Sequence, residues 1–429
     1  MNCISSLKHK SVLMLCLTSC VACGAPASEP LAPTDPLQYR VDYVVSPDPT
    51  DGTVAVTLKL SQSRALLREM TMRPDSRVSN IRADGDLDIS NGMVRWRPKA
   101  IGGTIRWHVD VAQRRNGNGH DAWLGMKWGL FRAEDIVPRA ATRTLKGARS
   151  DTRLRFDLPR SWSVVTQYYG KSGQFRIDNP ERRFDQPSGW LVIGELGVRR
   201  EEIAGVRVAV AGPVNSSVRR MDTLALLNWT LPELARLLPE MPSRLTIVSA
   251  GEPMWRGGLS GPQSLYVHAD RPLISENATS TLLHEIMHLS FGLSAKNGFD
   301  WIVEGLAEYY SLEILNRSGT ISDSRLAHAK SDLADWAKTA STLCRQTSTG
   351  ATTAMAVGKF SALNEELHEN SAGEASLDDV VRELTRAGTA VDLNRLTEVA
   401  ESLVGDKLDT LHINNLPGCR NIASGNQET

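Results

Sequence analysis

The sequence lacks any surplus of charge: 49 Lys+Arg are balanced by 49 Asp+Glu in 429 residues. A nucleic-acid-binding chain needs a basic excess to displace counterions, and an acidic disordered chain needs the opposite excess, so both classes are excluded. No run of 18 apolar residues occurs, so no transmembrane helix is expected. There is no Walker or dinucleotide-binding motif and no internal repeat. Gly258-Leu-Ser-Gly-Pro262 lacks the last glycine of a nucleophile elbow. Cysteine is scarce in the body of the chain. Four of the six (Cys3, Cys16, Cys20, Cys23) crowd the N-terminus, leaving Cys344 and Cys419. What is present, 41% apolar and 23% charged residues, is ordinary for a globular chain long enough for two or three domains.

Lys8, His9 and Lys10 precede the short apolar stretch Ser11-Val-Leu-Met-Leu-Cys-Leu17, the pattern of a secretory signal. Leu17-Thr-Ser-Cys20 resembles a bacterial lipobox, which implies lipidation of Cys20. Ala25-Pro-Ala27 offers a conventional cleavage site instead. Export to the bacterial cell envelope is therefore expected, with a lipoprotein facing the periplasm. In that oxidising compartment Cys344 and Cys419 either form a disulfide or stay as two buried thiols. A bridge would close a loop of 75 residues and contribute roughly 4–5 kcal/mol in the chain-entropy model.

The predicted organisation is a signal peptide (1–19), a tether (20–37), a β-rich N-terminal domain (38–211), a catalytic domain (212–320) and a helical C-terminal region (321–429). Thr53-Val-Ala-Val-Thr-Leu-Lys-Leu60 and Thr104-Ile-Arg-Trp-His-Val-Asp-Val111 alternate with period two, as half-buried strands of a sandwich do. A strand pair at Trp190–Gly194 and Val206–Ala211 is expected to finish that domain. Asp222–Leu238 has helical spacing, with a break expected at Pro232. Strands are predicted at Leu245–Ser249 and Ser264–His268, and helices dominate from Thr279 to about residue 405. Arg114-Arg115, beside the loop Asn116-Gly-Asn-Gly119, reads as a solvated turn.

His284-Glu-Ile-Met-His288 is an H-E-x-x-H motif flanked by Leu282, Leu283 and Leu289. Helical residues four apart share a face, so His284 and His288 can bind one zinc ion through neutral imidazoles. Glu285 stands beside them and can take a proton from zinc-bound water. A catalytic zinc needs a third protein ligand. Trp301-Ile-Val-Glu304-Gly-Leu-Ala-Glu308-Tyr-Tyr310 follows, with Asp300 as the expected N-cap and Glu304 as the third ligand. Glu308, one turn on, can hold the second N–H of a zinc-bound histidine, and Tyr309-Tyr310 read as packing.

These motifs resemble those of the gluzincin metallopeptidases and, more closely, the glycyl aminopeptidase family over roughly residues 38–390. Glu304-Gly-Leu-Ala-Glu-Tyr-Tyr310, Gly358-Lys-Phe360 and Ser376-Leu-Asp-Asp-Val380 match that family's segments. Gly257-Gly-Leu-Ser260 stands where it has G-G-L-E. The resemblance implies an α+β chain: a β-sandwich-like N-terminal domain, then a thermolysin-like zinc metallopeptidase domain with a helical C-terminal part. It implies one Zn2+, a peptide or protein substrate, and substrate binding along Gly257, Gly258, Leu259 and Ser260. The family's PDZ domain is not expected here. Two departures bear on specificity. Ser260 replaces the glutamate that pairs with a substrate's free amine, which favours endopeptidase or unusual exopeptidase action. Val357 replaces an oxyanion-stabilising tyrosine, a role left to His328, His368 or Tyr310. A weakly active or inactive zinc protein that binds peptides is the alternative, and a zinc hydrolase of cell-wall amides a third.

Overall fold

The computed structural model describes residues 35–115, 119–171, 173–178 and 184–420. The expected signal, the expected lipobox with Cys20 and most of the expected tether lie outside these residues. The N-terminal half contains three sheets rather than the two of a simple sandwich. The largest has seven strands, centred on Gln38–Asp48 antiparallel to Thr53–Ser61, which in turn pairs with Gly102–Asp110. Alternation decides its inner face: Tyr39, Val41, Tyr43 and Val45 from the first strand meet Val54, Val56, Leu58 and Leu60 from the second in one core. A five-stranded sheet contains Trp128–Arg132 and Trp190–Gly194, and a four-stranded sheet contains Leu67–Met72 and Met93–Arg97. A single helical turn, α1 (Ala133–Ile136), follows Trp128–Arg132.

A fourth sheet positions the site. Its strands run in the order Leu196–Ile203, Val206–Pro213, Arg244–Ala250, Ser264–His268, Gly258–Gly261. The three inner strands are parallel and the two outer ones antiparallel to their neighbours. The strand Val206–Pro213 thus belongs here and does not finish the N-terminal domain. The boundary expected at 211 falls inside it. The period-two pattern of 206–211 is the same for either sheet, which is why it misleads.

One face of this sheet is covered by helices. α2 (Arg220–Leu237) runs unbroken through Pro232, against expectation. Proline in a helix interior costs about 3 kcal/mol, but burial of Leu224, Leu227, Leu231, Leu234 and Leu237, at about 1.5–3 kcal/mol each, outweighs it. α3 (Thr281–Phe291) and α4 (Asp300–Arg317) carry the motifs. α5 (Asp323–Ala337), α6 (Ala351–Asn370), α7 (Leu377–Ala387) and α8 (Leu393–Val404) complete the helical part. A single core joins these helices to the sheet. Gly305 lets α4 and α6 approach: a Cβ there would lie 2.5 Å from the Ala356 Cβ and 2.8 Å from the Phe360 ring. Cys344 and Cys419 form the disulfide.

Candidate metal centre

α3 begins at Ser280, whose hydroxyl accepts the Leu283 N–H, and ends at Gly292 in the left-handed conformation (φ 60°). Leu282, Leu283, Ile286 and Met287 bury its core face. The opposite stripe presents His284 and His288, both partly exposed. α4 packs beside it with Trp301, Ile302, Leu306, Tyr309 and Tyr310 buried, so its N-terminal turns bring Glu304 to the histidines. Phe299, and not Asp300, occupies the N-cap position. The Asp300 carboxylate accepts the Ser348 N–H at 2.6 Å from the loop before α6.

The three side chains converge. His284 Nε2 and His288 Nε2 are 3.0 Å apart, and each lies 3.3 Å from an oxygen of Glu304. Tetrahedral coordination with bonds of about 2.0–2.1 Å separates donor atoms by about 3.3 Å, so this donor set fits a zinc ion. Among the described residues it is the one cluster of three such groups close enough to share a metal. The other nitrogen of the His284 ring has a partner too: Nδ1 lies 2.8 Å from Glu308 Oε2.

Charge follows from this packing. Burial works to lower the His284 pKa, but hydrogen bonds to Glu304 and Glu308 overcome it and hold the metal-free ring up to about 10. Burial works to raise Glu304, but the two imidazoles overcome it and bring it down to about 2. Glu285 is 8% exposed, and its burial raises its pKa above the ordinary carboxylate value, against the lowering pull of His284 and His288.

Glu285 turns toward the edge strand Gly258–Gly261. A Cβ on Gly258 would lie 2.9 Å from Glu285 Cγ and 2.7 Å from Thr281, so only glycine admits the carboxylate here. Ser260, on the same strand, adds a small lowering influence on the Glu285 carboxyl against its burial. Gly257 precedes the strand; a side chain on it would strike the Trp255 ring, and its carbonyl accepts the His268 N–H. Among the described residues the strand pairs on one side only, with Ser264–His268. Its other edge offers unpaired backbone groups beside Glu285.

Sequence reasoning missed the wall next to this strand. The Arg115 guanidinium stacks on the Trp255 ring at 3.8 Å and pairs with Asp121, so it is no solvated turn. Backbone bonds between His120 and both Pro253 and Trp255 hold the N-terminal hairpin there. Gly119 sits there at φ 93°, where a Cβ would meet the Trp255 backbone, an approach that no local sequence pattern marks. Of the substitutes for an oxyanion donor, Tyr310 is fully buried with its hydroxyl donated to Asp378, and His328 and His368 are exposed on α5 and α6. Tyr309 and Tyr310 are packing residues, as expected. Val357 is buried in the helical core.

No protein-family model matches the sequence, and no curated protein matches it. Solved structures do match in fold. An aminopeptidase N family protein from Idiomarina loihiensis superposes with a TM-score of 0.61 at 17% identity, over 90% of this chain and 75% of that one. A variant M1 zinc metallopeptidase from Deinococcus radiodurans gives a TM-score of 0.54 at 15% identity, over 86% of this chain and 91% of the other. Leukotriene A4 hydrolase from Saccharomyces cerevisiae gives a TM-score of 0.54 at 14% identity, over 87% of this chain and 66% of its own. At these identities the likeness establishes the fold: a gluzincin aminopeptidase-like arrangement of a β-rich N-terminal part and a zinc-peptidase-like part with C-terminal helices.

Proposed function

We propose that this chain, with its gluzincin aminopeptidase-like fold, is a zinc-dependent metallopeptidase. The observation that carries the reading is the convergence of His284, His288 and Glu304 at tetrahedral spacing beside a buried Glu285 and an open strand edge. A zinc ion held by those three residues would polarise the scissile carbonyl and make a water molecule acidic. This chain's residues supply the rest. The free edge of Gly258–Gly261 pairs with an extended peptide, placing its backbone against Glu285. Glu285 takes the proton from the attacking water and delivers it to the leaving amine. Glu308 keeps His284 in the tautomer whose Nε2 is free to bind metal.

The substrate amine finds no carboxylate at position 260, so a free amino terminus is not required. Export and attachment to the cell envelope through lipidated Cys20 belong to the same proposal, supported by the N-terminal sequence. Pairs of peptides that differ only in amino-terminal acetylation test the specificity: acetylated and free forms are expected to be cleaved at similar rates. Cleavage confined to free amino termini would contradict it. The second reading, a zinc-binding protein with little turnover, is favoured by the burial of Val357 and Tyr310, which leaves neither to stabilise an oxyanion.

A further inference from the structure

The fourth sheet packs its helix-free face against the five-stranded sheet of Trp190–Gly194, and the layer between them starts as an apolar core containing Val198, Ala211, Val248 and Val192. Residues two apart on a strand share a face. From the registered row Val198–Ala211–Val248, the next row on this face is Arg200–Ala209–Thr246, and the one after it Glu202–Arg207–Arg244. The apolar layer therefore gives way to a cavity of about 400 Å³ whose wall carries three guanidinium groups. No residue of the zinc cluster lines it.

Arg207 and Arg244 are direct partners on adjacent strands, a placement in which like charges repel. Both stack on the Tyr169 ring, at 4.9 and 4.1 Å, which holds them side by side without cancelling their charge. Among the described residues, none of the three arginines makes an ion pair. Two carboxylates also line the cavity, so its wall keeps a net positive charge of one: Glu202, exposed and opposite Arg207 in the same row, and Glu201, whose Oε1 accepts a hydrogen bond from Asn228 of α2. Arg244 donates from Nη1 to the Gln167 carbonyl, yet its Nε is buried with no partner. The hydroxyl of Thr166, a residue only 8% exposed that lines the same cavity, is also without a partner. Buried donors in native proteins are almost always satisfied.

We propose that this cavity binds an anionic oxygen group, a carboxylate or a phosphate, as a site separate from the metal centre. Guanidinium forks match both groups in charge and geometry. Arg207 and Arg244 would hold the oxygens, with Thr166 donating its hydroxyl and Arg200 adding the third charge.

Calorimetric titration of the zinc-loaded full chain at low ionic strength tests this, with inorganic phosphate, N-acetylglutamate and the neutral N-acetylglutamine amide as probes. Saturable binding of at least one anion and none of the neutral amide is expected. A preference for phosphate or for N-acetylglutamate then tells which source the site is built for. Affinity should fall at least tenfold in Arg207→Gln and in Arg200→Gln, the latter an exposed position whose replacement leaves the fold intact. Arg207→Glu, which places a carboxylate beside Arg244, should abolish binding. Failure of the wild-type protein to bind either anion, or affinities within twofold of wild type in both glutamine variants, would overturn the proposal. Zinc content is expected to be unchanged throughout, so the outcome is independent of the peptidase reading.

Discussion

Glu304 and Glu308 stand one helical turn apart on α4 and address the same imidazole from its two nitrogens. In the proposed site the first would share a metal position with His284, and the second would orient the ring. Glu308→Ala should therefore weaken zinc binding about 10–100-fold without removing a ligand. Zinc affinity measured by competition with a chelator checks this, and an unchanged affinity would reduce Glu308 to a surface carboxylate. The same pairing sets a pH dependence. In the metal-free protein the His284 pKa rises from 6.5 to about 10, so its contribution to stability is complete below 6.5 and is lost as pH rises through 10. Glu304 falls from 4.5 to about 2, so its contribution is present above 4.5 and is lost as pH falls through 2. Zinc must displace the His284 proton, and its binding at pH 7 should release about one proton. Calorimetry in buffers of different ionisation enthalpy measures that number; a value of zero would contradict the arrangement. These residues were legible because H-E-x-x-H and E-G-x-x-E carry their geometry in helical spacing alone. Ser260 was legible only as a departure from a pattern, and its place on the edge strand beside Glu285 needed the fold.

At the scale of elements, the first turn of α4 is tied down from outside. The loop 338–350 donates the Ser348 N–H to Asp300, one turn before Glu304. Cys344 of that loop is bridged to Cys419, and the Leu343 N–H bonds the Pro417 carbonyl. The chain's last described residues thus brace the helix that carries Glu304, the proposed third metal ligand. Asp300 was misread as a cap because an aspartate before a helix usually is one; a distant N–H claimed its carboxylate instead. Cys419→Ser should cost roughly 4–5 kcal/mol, given the 75-residue separation. Urea unfolding of the oxidised wild type against the variant measures this, and a loss below about 1 kcal/mol would show the bridge to be dispensable. The helices from residue 281 to 404 were legible from apolar spacing. α2 was misjudged at Pro232 because propensity is visible in sequence and the burial that overrides it is not.

Across the whole molecule, the sheet that carries the site borrows its first two strands from a region that reads like the N-terminal domain. Parallel pairing of Val206–Pro213 with Arg244–Ala250 is long-range, and no local pattern announces it. The hairpin that reaches Trp255 is likewise invisible in sequence, although it walls the strand on which a peptide would lie. The fold class could be read because alternation gives way to helical spacing along the chain; the seam between the two halves could not. The most direct test of the central claim compares wild type with Glu285→Gln on one sample each, measuring bound zinc and cleavage of a mixed peptide library by mass spectrometry. One zinc per chain in both proteins, with cleavage by wild type reduced at least 100-fold in the variant, is the expected result. Equal cleavage by both proteins, or no cleavage by zinc-loaded wild type, would contradict it.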